Sequence, residues 1–165
     1  MSVSTYDAEV IDAGSYKDNM PGIEIFDSRR FFSEGPNGRF ELRTFIAKVE
    51  TNSRQDLFNV GFGVWSEELQ MVDDMIQTRN GDFRRILSTI AIIALDFLQR
   101  YPFAFLFAEG STRARTRLYQ REISNILDEI PKELRLYGFI KMDDIFIDFQ
   151  KGINFDGFLL SLRNH

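Results

Sequence analysis

Apolar positions along the chain follow two rhythms, and the first, with a period of two, dominates residues 23–65. Ile23 to Ser33 reads as a strand. Phe40 to Val49 reads as its partner, with Phe40, Leu42 and Thr44 set against Glu41, Arg43 and Phe45. Between them, Gly35-Pro36-Asn37-Gly38 contains the Asn-Gly pair that marks a tight hairpin, so positive φ is expected at Asn37 and Gly38. Thr51 to Asp56 is a polar turn, and Leu57 to Trp65 is a third strand. Phe58, Val60, Phe62 and Val64 share one of its faces, and Asn59, Gly61, Gly63 and Trp65 share the other. Two glycines on one face leave bare backbone. That is either a floor for a ligand or a place where an aromatic ring or helix packs closely, and strand glycine is mostly of the second kind.

The second rhythm is helical. Residues 66–79 are acidic, with Glu67, Glu68, Asp73 and Asp74, and read as a loop with at most one helical turn. Asn80-Gly81-Asp82 opens the main helix, which runs to Gln99 and stops at Tyr101-Pro102. Its segment Ile90 to Leu95 is apolar nearly all round, which places it centrally, against the sheet and covered from outside. Phe103 to Ala108 is apolar on both faces, as an interior strand is. Ile90, Ile93, Leu95, Phe105 and Phe107 are therefore expected in the core. A tight turn at Gly110-Ser111 leads to a second helix, Thr112 to Ile130, capped by Ser111 or Thr112 and closed by Pro131. Leu134 to Lys141 and Ile145 to Gln150 read as two strands about Asp143-Asp144. Asn154 caps a last short helix carrying Phe155, Phe158, Leu159 and Leu162. Residues 1–21 lack periodicity and form an irregular arm with room for a short strand at Glu9-Val10-Ile11.

The order is β-β-β-α-β-α-β-β. It predicts an α+β fold over residues 22–165, a single domain with a mixed, mostly antiparallel sheet of about six strands and two main helices. A helix between two strands of one sheet implies a crossover and a parallel pair. Acetyltransferases of the GNAT-like fold share this order: three antiparallel strands, helix, strand, helix, strand pair. The ribonuclease H-like fold shares its beginning, and the final hairpin favours the GNAT-like topology. Fold alone says little about function.

Composition narrows the chemistry. The 165 residues include 17 Phe, an aromatic-rich core, and the net charge of −5 disfavours general nucleic-acid binding. With no cysteine there is no disulfide, thiolate site or Cys nucleophile, which fits a reducing compartment. No leader is read at Met1–Asp7, and the longest apolar run, Ile90 to Leu95, is too short for a bilayer, so a cytoplasmic protein without membrane contact is expected. The one histidine is His165, which removes a Ser-His-Asp triad and a His-rich metal site. Asp27, Asp82, Asp96 and Glu109 could converge on Mg²⁺, although acids at element ends are commonly caps, and no metal site is predicted. No catalytic residue or cofactor is indicated, and whether the chain is an enzyme stays open.

The candidate binding chemistry is anionic. Arg113, Arg115 and Arg117 crowd the start of the second helix, against the macrodipole, which favours anions there. Arg113, Arg117 and Arg121 stack on one face, Arg115 and Tyr119 share another, and Ala114 and Leu118, followed by Ile123, Ile126 and Leu127, supply the buried side. Either this surface, with Gly110 and Ser111, holds a phosphate or carboxylate, or the arginines pair with Glu109 and the acids of residues 66–74. Gln77-Thr78-Arg79-Asn80-Gly81-Asp82 stands where acetyltransferases hold a cofactor pyrophosphate, but it lacks spaced glycines, and Asp82 would repel phosphate, so Asn80 or Asp82 is expected simply to cap the helix. The predicted ligand residues are Gly110, Ser111, Arg113, Arg115, Arg117, Tyr119, Asn80 and Gly81. The partner would be a phosphate-bearing ligand, a nucleic acid or an acidic protein.

Phe58-Asn59-Val60-Gly61-Phe62-Gly63, then Asn80-Gly81-Asp82, then Gly110-Ser111-Thr112-Arg113-Ala114-Arg115-Thr116-Arg117-Leu118-Tyr119 resembles a group of small proteins from Bacteroidota, the DUF6934 family. The resemblance runs from about Phe31 to Leu160. It implies an uncharacterised intracellular protein of bacterial or bacteriophage origin and carries no activity, cofactor or partner with it.

Overall fold

The computed structural model describes residues 4–12, 23–50, 56–73 and 78–164. The expected turn at residues 51–55, most of the arm, Asp74, Gln77 and His165 lie outside them. The described strands are β1 (Glu9–Val10), β2 (Ile25–Gly35), β3 (Gly38–Lys48), β4 (Asp56–Ser66), β5 (Met71–Asp73), β6 (Ala104–Ala108), β7 (Leu134–Ile140), β8 (Ile145–Asp148) and β9 (Gly157–Leu162). The helices are α1 (Phe83–Arg100) and α2 (Arg113–Asn125), the latter followed by a 3-10 turn at Leu127–Glu129.

All nine strands share one sheet in the order β1-β2-β3-β4-β6-β9-β7-β8, with β5 paired to β4. The α+β class, the mixed and mostly antiparallel pairing and the parallel pair across α1 (β4 with β6) agree with expectation. The count of six strands is corrected to nine. The arm contributes β1, which pairs with Arg29 and Arg30 of β2. The acidic segment expected as a loop turns back after Ser66 and adds β5 to the end of β4. The predicted final helix is a strand, β9, inserted between β6 and β7. Its Phe158, Leu159 and Ser161 are all buried, so both faces of the strand are covered and no polar alternation marks it.

The front hairpin forms as the alternation requires, with Phe31 opposite Leu42 and Gly35 opposite Gly38. Its corner is Pro36-Asn37, however, and only Gly38 has positive φ, at 110°; Asn37 does not. Proline fixes its own φ near −65° and so takes the first corner position of an ordinary turn, which moves the glycine one place on.

Side chains from one sheet face, among them Phe31, Leu42, Ile46, Phe58, Val64, Leu106 and Leu134, meet Ile86, Ile90, Ile93, Ala94, Phe97 and Leu98 of α1. Helix α1 is amphipathic and not covered all round, because Ile92 is 47% exposed. Leu95, Phe105 and Phe107 are half-buried, while Ile90 and Ile93 are in the core as expected. Gly61 is explained by close packing: a Cβ there would stand 2.2 Å from the Phe45 ring. The same holds at Gly138, where a Cβ would lie 2.2 Å from the fully buried Phe155.

Candidate functional site

β4 and β6 run side by side only from Asp56/Ala104 to Asn59/Phe107. Beyond that β6 ends at Ala108 and the chain turns off through Glu109-Gly110-Ser111, while β4 continues to Ser66. Val64 pairs with Leu42 on one edge and with Asp73 of β5 on the other. Between these attachments, among the described residues, Val60, Gly61, Phe62 and Gly63 have a strand partner only on β3. A slot of about 340 Å³ lies beside them, lined by Phe45, Val60, Gly61, Phe62, Val72, Glu109, Gly110, Ser111 and Tyr119.

A cleft of about 210 Å³ adjoins the slot at Phe62 and Tyr119. Gly63 and Val64 form one wall, Thr78, Arg79 and Gly81 to Phe83 at the start of α1 a second, and Arg115, Leu118, Tyr119 and Glu122 of α2 the third. The walls meet because α2 turns an unusual face inward. Its buried residues are Arg115, Thr116, Tyr119 and Gln120, while Ala114 is exposed and Leu118 half-buried, which corrects the first half of the expected apolar side; Ile123 and Ile126 do pack on the core. Tyr119 stacks on Phe83 at 5.8 Å between ring centres and packs on Phe62 at 5.3 Å. Gln120 donates to the carbonyl of Ile153 and accepts from the Phe155 amide at 2.9 Å, and Arg117 donates to the Phe155 carbonyl at 2.6 Å. Polar residues face inward because the chain they meet, residues 153–155, offers backbone groups that need partners.

Asp82 precedes α1 without capping it by its side chain. Its carboxylate accepts instead from three hydroxyls: Tyr6 at 2.6 Å, Thr78 at 2.9 Å, and Ser33. Burial, then the bond to Asp82, raises the Tyr6 hydroxyl above its ordinary 10.0. Three donors spread the negative charge of Asp82, and among the described residues no N-cap side chain accepts from the first-turn amides of α1. Arg79, with φ of 55°, and Gly81, with φ of 71°, carry the backbone round the cleft mouth.

The eight predicted ligand residues separate into groups. Gly81, Arg115 and Tyr119 line the cleft, and Gly110, Ser111 and Tyr119 line the slot. Asn80 is engaged elsewhere: its side chain accepts from the Asn37 amide at 2.8 Å and donates to Ser33 at 3.1 Å and to the Gly38 carbonyl at 3.0 Å, pinning the front hairpin. Arg113 is exposed and lines neither cavity, and Arg117 serves the Phe155 carbonyl. Tyr119 is 5% exposed, so the open arginine–tyrosine surface does not form. Among the described residues no carboxylate lies within salt-bridge reach of Arg113 or Arg117; Glu122 of α2 pairs with Arg84 and Arg121. Sequence reasoning missed Arg79, Thr78, Phe62 and Glu122. The hydroxyl-bearing Thr78 four residues before Asp82 was the available signal.

The four acids considered for Mg²⁺ do not converge. Asp27 accepts from Arg29 at 3.1 Å and Arg100 at 2.6 Å, and Asp96 pairs with the same two arginines. Asp82 is bound by hydroxyls, and Glu109 stands at the slot.

The DUF6934 family model, described as a family of unknown function, matches residues 23–163. The chain belongs to the DUF6934 family. Slot, cleft and both helices all lie within the DUF6934 span, and most of the arm bearing Tyr6 lies before it. Comparison with curated proteins and with solved structures returns no match. Among the described residues no helix is long and apolar enough to cross a membrane.

Proposed function

We propose that this DUF6934 chain is a binding module for a small anionic ligand, held in the cleft between β4, the start of α1 and α2. The observation that carries the reading is the convergence of Arg79, Arg115, Gly81 and the uncapped first turn of α1 on one concave space of about 210 Å³. Helix-start amides and guanidinium groups both favour anions, and a cleft removes competing water. The three hydroxyls on Asp82 reduce the repulsion that its carboxylate would otherwise exert. The site keeps Gly81, Arg115 and Tyr119 of the residues expected from sequence and leaves Arg113 outside it.

Titrating inorganic pyrophosphate by calorimetry tests this. Binding to the full chain should weaken at least tenfold in Arg79→Ala and stay unchanged in Arg113→Ala. No binding to the wild type, or equal loss in both variants, overturns it.

A second reading is a divergent acyltransferase-like enzyme of GNAT-like topology. It is favoured by the parting of the parallel pair β4 and β6 beside the start of α1. Three final strands stand where that fold has a pair. The cleft alone is also smaller than the roughly 300 Å³ at which pockets for drug-sized ligands begin. Coenzyme A binding with turnover of an acetyl thioester would support this reading, and coenzyme A left unbound at millimolar concentration would remove it.

A further inference from the structure

We propose that the ligand of the cleft is a carboxylate with a medium-length alkyl tail, its head in the cleft and its tail in an apolar cavity between the sheet and the two helices. The head rests on the anion-binding reading of the cleft; the tail and its cavity do not.

The cavity has a volume of about 90 Å³, and every wall of it belongs to described residues. Helix α1 contributes Leu87, Ile90, Ala91 and Ala94, and α2 contributes Ile123 and, at its C-terminal cap, Ile126. The floor is the apolar face of β4, β6, β7 and β9. Apart from the Tyr119 hydroxyl, every side chain around it is hydrocarbon. Spaces lined in that way stay dry, so an apolar group enters without displacing a bound water. A hole in a core costs stability in proportion to its volume, and a larger side chain at the half-buried Ala91 would close this one. A dry cavity of about 150 Å³ takes a benzene ring. This one is smaller and fits the narrower section of an alkyl chain.

Cavity and cleft are two lengths of one trough. The same three elements wall both, and along each the cavity follows the cleft. On β4 the cleft takes Phe62 to Val64, and the cavity takes Val60 and Phe62. On α2 the cleft takes Arg115, Leu118 and Glu122, and the cavity lies beyond them at Ile123 and Ile126. Phe62 and Tyr119 line both spaces, so their rings, with centres 5.3 Å apart, form the threshold. On α1 the two sets of lining residues are centred about seven residues apart, which at about 1.5 Å per residue is about 10 Å. An extended chain of about eight carbons covers that span. Its carboxylate then meets Arg79 and Arg115. Asp82 and Glu122 share that cleft, but Asp82 is bound by three hydroxyls and Glu122 by Arg84 and Arg121. Together the two spaces reach the roughly 300 Å³ at which ligand pockets begin, which the cleft alone does not.

Butyrate, hexanoate and octanoate are the probes, titrated into the full chain by calorimetry. Each buried methylene is worth about fourfold in affinity, so octanoate should bind at least tenfold more tightly than butyrate. Dodecanoate, longer than the trough, should gain nothing over octanoate. Ala91→Phe fills the cavity from α1 and should bring octanoate down to the butyrate level while leaving inorganic pyrophosphate binding unchanged. If that variant does not fold, the chain-length series in the wild type decides alone. No octanoate binding, an affinity that ignores chain length or still climbs at dodecanoate, or undiminished octanoate binding in folded Ala91→Phe overturns the proposal. If pyrophosphate binds and the series is flat, the tail inference fails and the anion reading stands. If octanol binds as tightly as octanoate, the tail site stands and the anion reading fails.

Discussion

Replacing Gln120 by leucine nearly keeps its volume and removes both hydrogen bonds that hold residues 153–155. The Phe155 amide, which is buried, and the Ile153 carbonyl would lose their partners. Each buried orphan costs about 1–3 kcal/mol, so Gln120→Leu should lower unfolding free energy in urea by about 2–4 kcal/mol. A change below 0.5 kcal/mol would mean that water takes the amide's place. Tyr6 gives a pH signature. Its hydroxyl is raised above 10.0 in the folded chain, by burial and then by Asp82, so the unfolded chain loses that proton first. The stability it contributes is intact below pH 10 and disappears as the pH rises through the folded value. The melting-temperature gap between wild type and Tyr6→Phe should therefore narrow as the pH rises above 10, and a constant gap would exclude the coupling. At this scale the sequence was partly readable. Arg115, Tyr119, Gly81, Gly110 and Ser111 all line the two cavities. Asn80 does not, because its amide has the shape to close a hairpin turn, which no spacing rule announces.

Elements were legible where one face is wet. The hairpin of β2 and β3 and the strands β4, β7 and β8 alternate and were read directly. Strand β9 was not, since Phe155, Phe158, Leu159 and Leu162 also fit helical spacing and burial on both faces erases the period of two. β5 is three residues long and exists because β4 outruns its neighbour β6. Two substitutions test the packing of elements. In α1, Phe97 is fully buried and Leu95 only half, so Phe97→Ala should cost about 3–5 kcal/mol and Leu95→Ala clearly less; the reverse order would mean the helix is rotated. On β7, Gly138→Ala puts a methyl group into the Phe155 ring, which cannot retreat. Overpacking of that kind costs about 1–3 kcal/mol, and an unchanged urea midpoint would show that the ring is free to move.

For the whole molecule the arm is the informative part. Tyr6 donates its amide to Thr89 at 2.9 Å, stacks on Phe31 at 5.8 Å and lies under Arg85 at 3.8 Å, while Glu9 pairs with Arg30 beside β2. Deleting residues 1–12 removes these contacts at once. The remaining chain should still fold but lose roughly 2–4 kcal/mol, from one half-buried aromatic and a few hydrogen bonds. Loss below about 1 kcal/mol in thermal or urea unfolding would mean that the arm only rests on the surface. The slot itself could not be read in advance: it forms where three separate stretches meet, β4, Val72 of β5 and the turn Glu109 to Ser111 after β6. Its rim also carries a built-in optical reporter. Trp65 is the only tryptophan, buried two residues beyond Gly63, beneath the Arg43 guanidinium at 3.7 Å and across from Val72 of β5. Its emission comes from one place only. A molecule entering the slot should change the colour and lifetime of that fluorescence without any label being attached.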